Sequence, residues 1–203
     1  MPNVKKQKFL LSKKDAKISI AQSPEYAHVI TKMYGFFKFN ERTFLDVGCG
    51  LGDLVYNVKA TDCFDKTIGI DCLCHKVLSG RTKFNLGFSE LIASPMNQLP
   101  VENESISFLH CHDTLNLVSE DLIPKMLNEF YRITIHNGNL LILLNKNRML
   151  CDPAYWGILL REYGFKCNLK LFLLFKEVIK NKASLYEEIK NDYIIFCMSK
   201  ERV

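Results

Sequence analysis

The chain has 203 residues, 48% of them hydrophobic, and a formal charge of +5. That length suits one domain burying roughly 70% of its unfolded surface, and the composition excludes a disordered, collagen-like or repeat protein. No apolar run approaches the ~20 residues of a membrane span, and the lysine-bearing N-terminus lacks the apolar core of a secretion signal, so a cytoplasmic protein is expected.

Residues 1–20 read as a basic lead-in carrying Lys5, Lys6, Lys8, Lys13, Lys14 and Lys17, and residues 21–203 as a single domain. Ser23-Pro24-Glu25 starts a helix, with a serine cap, proline at the first helical position and an acid in the first turn. Its apolar side, Ala27, Ile30, Tyr34 and Phe37, carries it to about Phe37. A buried strand over 43–47 runs into glycines and a helix over 53–59. A second strand, 67–70, ends at Asp71, and a helix follows over 73–84. The pattern continues with strands at 90–94 and 106–111, a helix over 120–133, a strand at 139–144 and a helix over 153–163. Two late strands are expected at 169–175 and 193–198, flanked by a second basic stretch of Lys166, Lys170, Lys176, Lys180 and Lys182. Eight cysteines, at 49, 63, 72, 74, 111, 151, 167 and 197, are scattered and read as reduced and mostly buried.

Strands alternating with helices imply a parallel sheet covered on both faces. Ligands of such sheets sit beyond the carboxyl ends of the strands, at the topological switch point. Chemistry is therefore sought just after residues 47, 70, 94, 111 and 145.

One of these positions carries the strongest motif, Asp46-Val47-Gly48-Cys49-Gly50-Leu51-Gly52-Asp53. Glycine serves where backbone turns sharply or approaches a ligand. A dinucleotide fingerprint, G-x-G-x-x-G, needs a third glycine where Asp53 stands. Asp46 and Asp53 would also repel a pyrophosphate. S-adenosylmethionine has no phosphate and carries an ammonium and a sulfonium, which an acid at the strand end attracts. The segment resembles motif I of the class I methyltransferases, D-x-G-x-G-x-G, with Asp46, Gly48, Gly50 and Gly52 in its fixed positions.

That resemblance implies a three-layer Rossmann-like α/β fold: a mostly parallel seven-stranded sheet with an antiparallel last strand. It implies S-adenosylmethionine as cofactor, with the loop, Cys49 included, at the methionine end. Asp71 would take the ribose hydroxyls, or else cap the next helix, and Cys72 would lie near the adenine. Asn97 to Phe108 resembles the family's stretch around the third and fourth strands. The family's Asp-Ala before Leu99-Pro100 is Pro95-Met96 here, so the usual side-chain bond to the adenine amine is lost and the backbone of Met96, or Asn97, would replace it. Arg132 to Leu140 and Gly164-Phe165 match the turns before the fifth and sixth strands.

Methyl transfer mainly needs positioning, with a base only where the nucleophile loses a proton. His112 and Asp113, where the fourth strand leaves the sheet, are the catalytic candidates, and His112 would also touch the cofactor or act as a base near neutral pH. His110 lies on the same side, deeper in the strand. The alternative is that His112 only packs over the cofactor. Cys72-Leu73-Cys74-His75 lacks zinc spacing, so no metal site is expected. An N-P-P-Y or D-P-P-Y motif is absent, which argues against methylation of base or glutamine amino groups. A small-molecule acceptor is favoured over an RNA guided by the basic N-terminus. A third reading is a non-catalytic relative that binds cofactor as a partner subunit.

Overall fold

The structure, a computed structural model, describes residues 20–87, 89–148 and 152–201. The lysines of the basic lead-in and Cys151 lie outside the described residues.

Seven strands form one sheet: β1 (Thr43–Val47), β2 (Lys66–Asp71), β3 (Leu91–Ala93), β4 (Ile106–His112), β5 (Thr134–Asn145), β6 (Phe165–Cys167) and β7 (Tyr193–Lys200). Their order is β3-β2-β1-β4-β5-β7-β6. β1 through β5 are parallel, and β7 runs antiparallel to β5 and β6, as expected. The chain winds outward from β1 to β3, then crosses back to start again at β4. The switch point therefore lies between β1 and β4, at the end of the glycine-bearing strand.

Alternation along the strands sorts side chains into two cores. Leu45, Val47, Leu109, Cys111, Leu140 and Ile142 face helices α4 (Ile123–Ile133) and α5 (Pro153–Glu162), where Phe130 and Trp156 are buried. Phe44, Phe108, Leu141 and Leu143 face the opposite way. They meet α1 (Pro24–Tyr34), α6 (Leu169–Lys180) and α7 (Ala183–Asp192). Helices α2 (Asp53–Lys59) and α3 (Cys74–Phe84) complete the layers. Ile20, read as part of the lead-in, sits in a short 3-10 turn, 1% exposed, in the second core.

Ser23 caps α1 as its sequence implies, accepting a bond from the Glu25 N–H. The helix stops at Tyr34, three residues short of the expected end, and turn-type bonds from the Phe36 and Phe37 N–H groups to the Met33 and Tyr34 carbonyls carry the chain on to Phe37. The turn expected at Asn137-Gly138 lies inside β5, as an interruption in pairing with β4 where Asn137 adopts φ 58°. Cysteines correct another expectation: among the described residues only Cys111 and Cys197 are buried, and Cys72, Cys74 and Cys167 are exposed.

The largest correction concerns residues 169–175, expected as a strand. They open helix α6, whose first turn Asn168 caps through its side-chain oxygen on the Leu171 N–H. Leu171, Phe175, Val178 and Ile179 are buried, while Leu169 and Leu173 are exposed. That spacing is helical. A short apolar run holds no periodicity of its own, so its length misled. Helix α7 was not anticipated either. The burial pattern makes a discriminating pair: Phe175→Ala should cost about 3–5 kcal/mol and Leu173→Gln less than about 0.5 kcal/mol in urea unfolding. A strand would put both residues on one face and make both costly.

Candidate active site

The glycine loop leaves β1 at the switch point. Gly48, Gly50 and Gly52 all have positive φ, at 82°, 58° and 83°. At Gly48 the requirement is both conformation and space, since a Cβ would lie 1.8 Å from Thr114 Oγ1. That hydroxyl belongs to the turn after β4 and bonds the Val47 carbonyl, so the exits of β1 and β4 are interlocked. At Gly50 the opposite holds: a Cβ would meet nothing within 4 Å. Bare backbone there faces open space, which suits a ligand lying against the loop.

Asp71 pins this loop. Its Oδ2 accepts from the Gly50 N–H at 2.8 Å and its Oδ1 from the Leu73 N–H at 2.8 Å. Asp71 thus ties the glycine loop to the turn that leads into α3, a duty the sequence did not announce; the N-cap position of α3, Leu73, has no side-chain cap. A carboxylate oxygen has a second lone pair, so both atoms can still accept from a ribose.

A cleft of about 310 Å³ opens over the loop. It is lined by Asp46, Gly48, Cys49, Gly50, His112 and Asp113, all singled out in the sequence. Gln22, Leu51, Asp53, Leu54 and Lys76 complete the wall. Asp53 is paired with Lys83 at 2.9 Å. Gly52, Asp71, Cys72, Met96 and Asn97 are not part of this wall. Gly52 and Asp71 shape the loop from behind, Met96 is buried in the first core, and Cys72 and Asn97 are exposed at the ends of β2 and β3.

His112 is half-buried, and its Nε2, itself shielded from solvent, has no hydrogen-bond partner. Burial, with His110 and Arg148 nearby, pushes its imidazole down to about 3. It is neutral at pH 7. Asp113 holds φ 59°, a left-handed conformation that Asp tolerates better than most residues. The Asn145 backbone N–H and the Asn116 side-chain amide donate to its Oδ1, and Arg148 lies 3.5 Å from its Oδ2. Burial raises its carboxyl above the usual range.

Residues 44–138 match the family model described as a methyltransferase domain. That stretch runs from β1 into β5, carries the glycine loop, and makes up just under half of the chain. No curated protein sequence matches it at a significant level. Its fold is similar to several solved methyltransferase structures. A TehB-like S-adenosylmethionine-dependent methyltransferase from Corynebacterium glutamicum is 16% identical, with TM-score 0.58 over 71% of this chain and 74% of that one. A methyltransferase from Aquifex aeolicus is 22% identical, with TM-score 0.58 over 73% and 83%. The [4+2]-cyclase SpnF is 15% identical, with TM-score 0.63 over 88% and 82%. The last shows that this fold also carries other reactions.

Of the wall residues the sequence did not single out, Gln22 precedes the glycine loop by more than twenty positions and carries no motif. Lys76, five positions beyond Asp71, could have been sought on the helix that follows β2. Among the described residues, no group of three or more His, Cys, Asp or Glu side chains is arranged to hold a metal ion. No helix there is long and apolar enough to cross a membrane.

The half-buried His112 makes stability depend on pH. Its pKa falls on folding, so its contribution is present above about 6.5 and lost as pH drops towards about 3. Between pH 6.5 and 4.5 the parent protein should lose about 2 kcal/mol more than His112→Gln in urea unfolding. Equal losses in the two proteins would contradict the assignment.

Proposed function

We propose that this chain is a methyltransferase that moves the methyl group of S-adenosylmethionine onto a small-molecule acceptor, at the cleft between the ends of β1 and β4. The single observation carrying this reading is the pairing of a cleft-lining acid, Asp46, with open bare backbone at Gly50. This combination welcomes a cationic, phosphate-free nucleoside and repels a pyrophosphate. When bound, the cofactor supplies an activated methyl group on a positively charged sulfur.

The chain's own residues then divide the work. Asp46 attracts the ammonium of the amino-acid end. Gly48, Cys49 and Gly50 give backbone contact, and Gly52 lets the loop enter α2. Asp71 takes ribose hydroxyls beside the backbone bonds it already makes. Pro95 contributes no carboxylate, which leaves the adenine edge to Cys72 and to the Met96 backbone or Asn97. His112 and Asp113 face the acceptor. Because His112 is neutral, its unpartnered ring nitrogen is free to orient an acceptor O–H or N–H by a hydrogen bond, and the ring does not arrive already charged. Transfer is in-line, so orientation is the larger part of what the protein supplies.

A second reading keeps the cofactor and drops the reaction. It is favoured by Pro95, by the weakly basic His112, and by the cyclase among the similar folds. A small-molecule acceptor is preferred over RNA because Asp46, Asp53 and Asp113 line the cleft and repel phosphates. Salt-sensitive RNA binding that falls on deletion of residues 1–17 would reverse that preference.

Calorimetry with S-adenosylmethionine should give micromolar binding, reduced at least tenfold by Asp46→Ala and by Gly50→Val. Gly50→Val should still fold, since its side chain enters empty space at some backbone cost. Undiminished binding by both variants would remove the site assignment. Tritiated-methyl transfer into metabolite pools separates the two readings: binding without any transfer favours the non-catalytic one.

A further inference from the structure

Asp46 does not stand alone. It is 3% exposed, and β1 and β4 run side by side with Asp46 directly opposite His110. His110 Nδ1 lies 2.7 Å from Asp46 Oδ1. Its other nitrogen, Nε2, lies 3.0 Å from the hydroxyl of Tyr26 on α1. Tyr26 and His110 are both fully buried. Neither lines the cleft, and no part of the site described above uses them.

The direction of this chain follows from counting donors. A buried tyrosine O–H left without an acceptor costs about 1–3 kcal/mol. His110 Nε2 is the acceptor that satisfies it, so Nε2 carries no proton. Nδ1 then carries the ring's proton and donates it to Asp46. Burial and the nearby Asp46 charge keep Tyr26 protonated, in agreement. Asp46 is therefore gripped through Oδ1 by an N–H that has no alternative partner. The grip originates on α1, four positions after Gln22, which itself lines the cleft.

We propose that Tyr26 and His110 are positioning residues that hold the Asp46 carboxylate in one orientation for the ammonium at the amino-acid end of the cofactor. This rests on the cofactor reading given above. Without the chain, Asp46 would rotate towards the core or draw in water, and its charge would be spread over several positions. The expected signature is a defect confined to ligands that possess the ammonium.

The test uses the full chain and two probes in titration calorimetry: S-adenosylhomocysteine, and 5′-methylthioadenosine, which lacks the amino-acid end. His110→Phe should weaken the first about tenfold and the second less than about twofold. His110→Asn, whose side-chain amide can still donate to Asp46, should restore most of the loss. Tyr26→Phe keeps the histidine but frees its tautomer, and should weaken S-adenosylhomocysteine alone by about threefold. Should His110→Phe fail to fold, the Tyr26→Phe comparison carries the same decision. Equal losses for both probes would mean that the chain only fills the core, and overturn the proposal, as would no loss for either. If the parent protein binds neither probe, the cofactor reading falls first and this inference with it.

Discussion

A carboxylate buried at the end of β1 is the constraint around which this site is built. Removing an ionised acid from water costs several kcal/mol unless partners replace the lost hydration. Asp46 meets that demand with His110 from the neighbouring strand, and His110 meets its own with Tyr26 from α1. Three elements thus converge on one charge. The same strand end also carries the glycine loop, so the charge and the bare backbone reach the cleft together.

The loop is shaped by its neighbours as much as by its glycines. Thr114 closes against Gly48, Leu91 occupies the space beside Gly52, and Asp71 binds the Gly50 amide. β2, β3 and the exit of β4 each fix one point of a turn that their own sequence does not contain. Only Gly50 is left facing emptiness. A fold that clamps a loop, Gly50 included, and leaves open space beside that one residue presents backbone there with little freedom to lose on binding.

On the side of the cleft proposed for the acceptor the physics differs. His112 is uncharged and unpartnered, and Asp113 is tied to Asn145, Asn116 and Arg148. Little here is ready to pull a proton from a weak acid. Geometry dominates, in keeping with a transfer that needs an aligned nucleophile more than a strong base.

Local signals in the sequence determined most of the frame. Ser23-Pro24, the acid-and-glycine run from Asp46 to Gly52, and the strand ending at Asp71 declare themselves over a few residues, because caps, turns and strand ends are set by short-range sterics and hydrogen bonds. The parallel sheet and the location of the cleft followed from their rhythm. Tertiary structure alone decided the rest. Residues 169–175 became a helix because Leu171, Phe175, Val178 and Ile179 found a core to face, something an apolar run cannot announce by itself. Tyr26 and His110 stand 84 positions apart, and nothing in either neighbourhood names the other. Their contact exists because β4 lies beside β1 in a register that sets His110 opposite Asp46, under the helix that carries Tyr26.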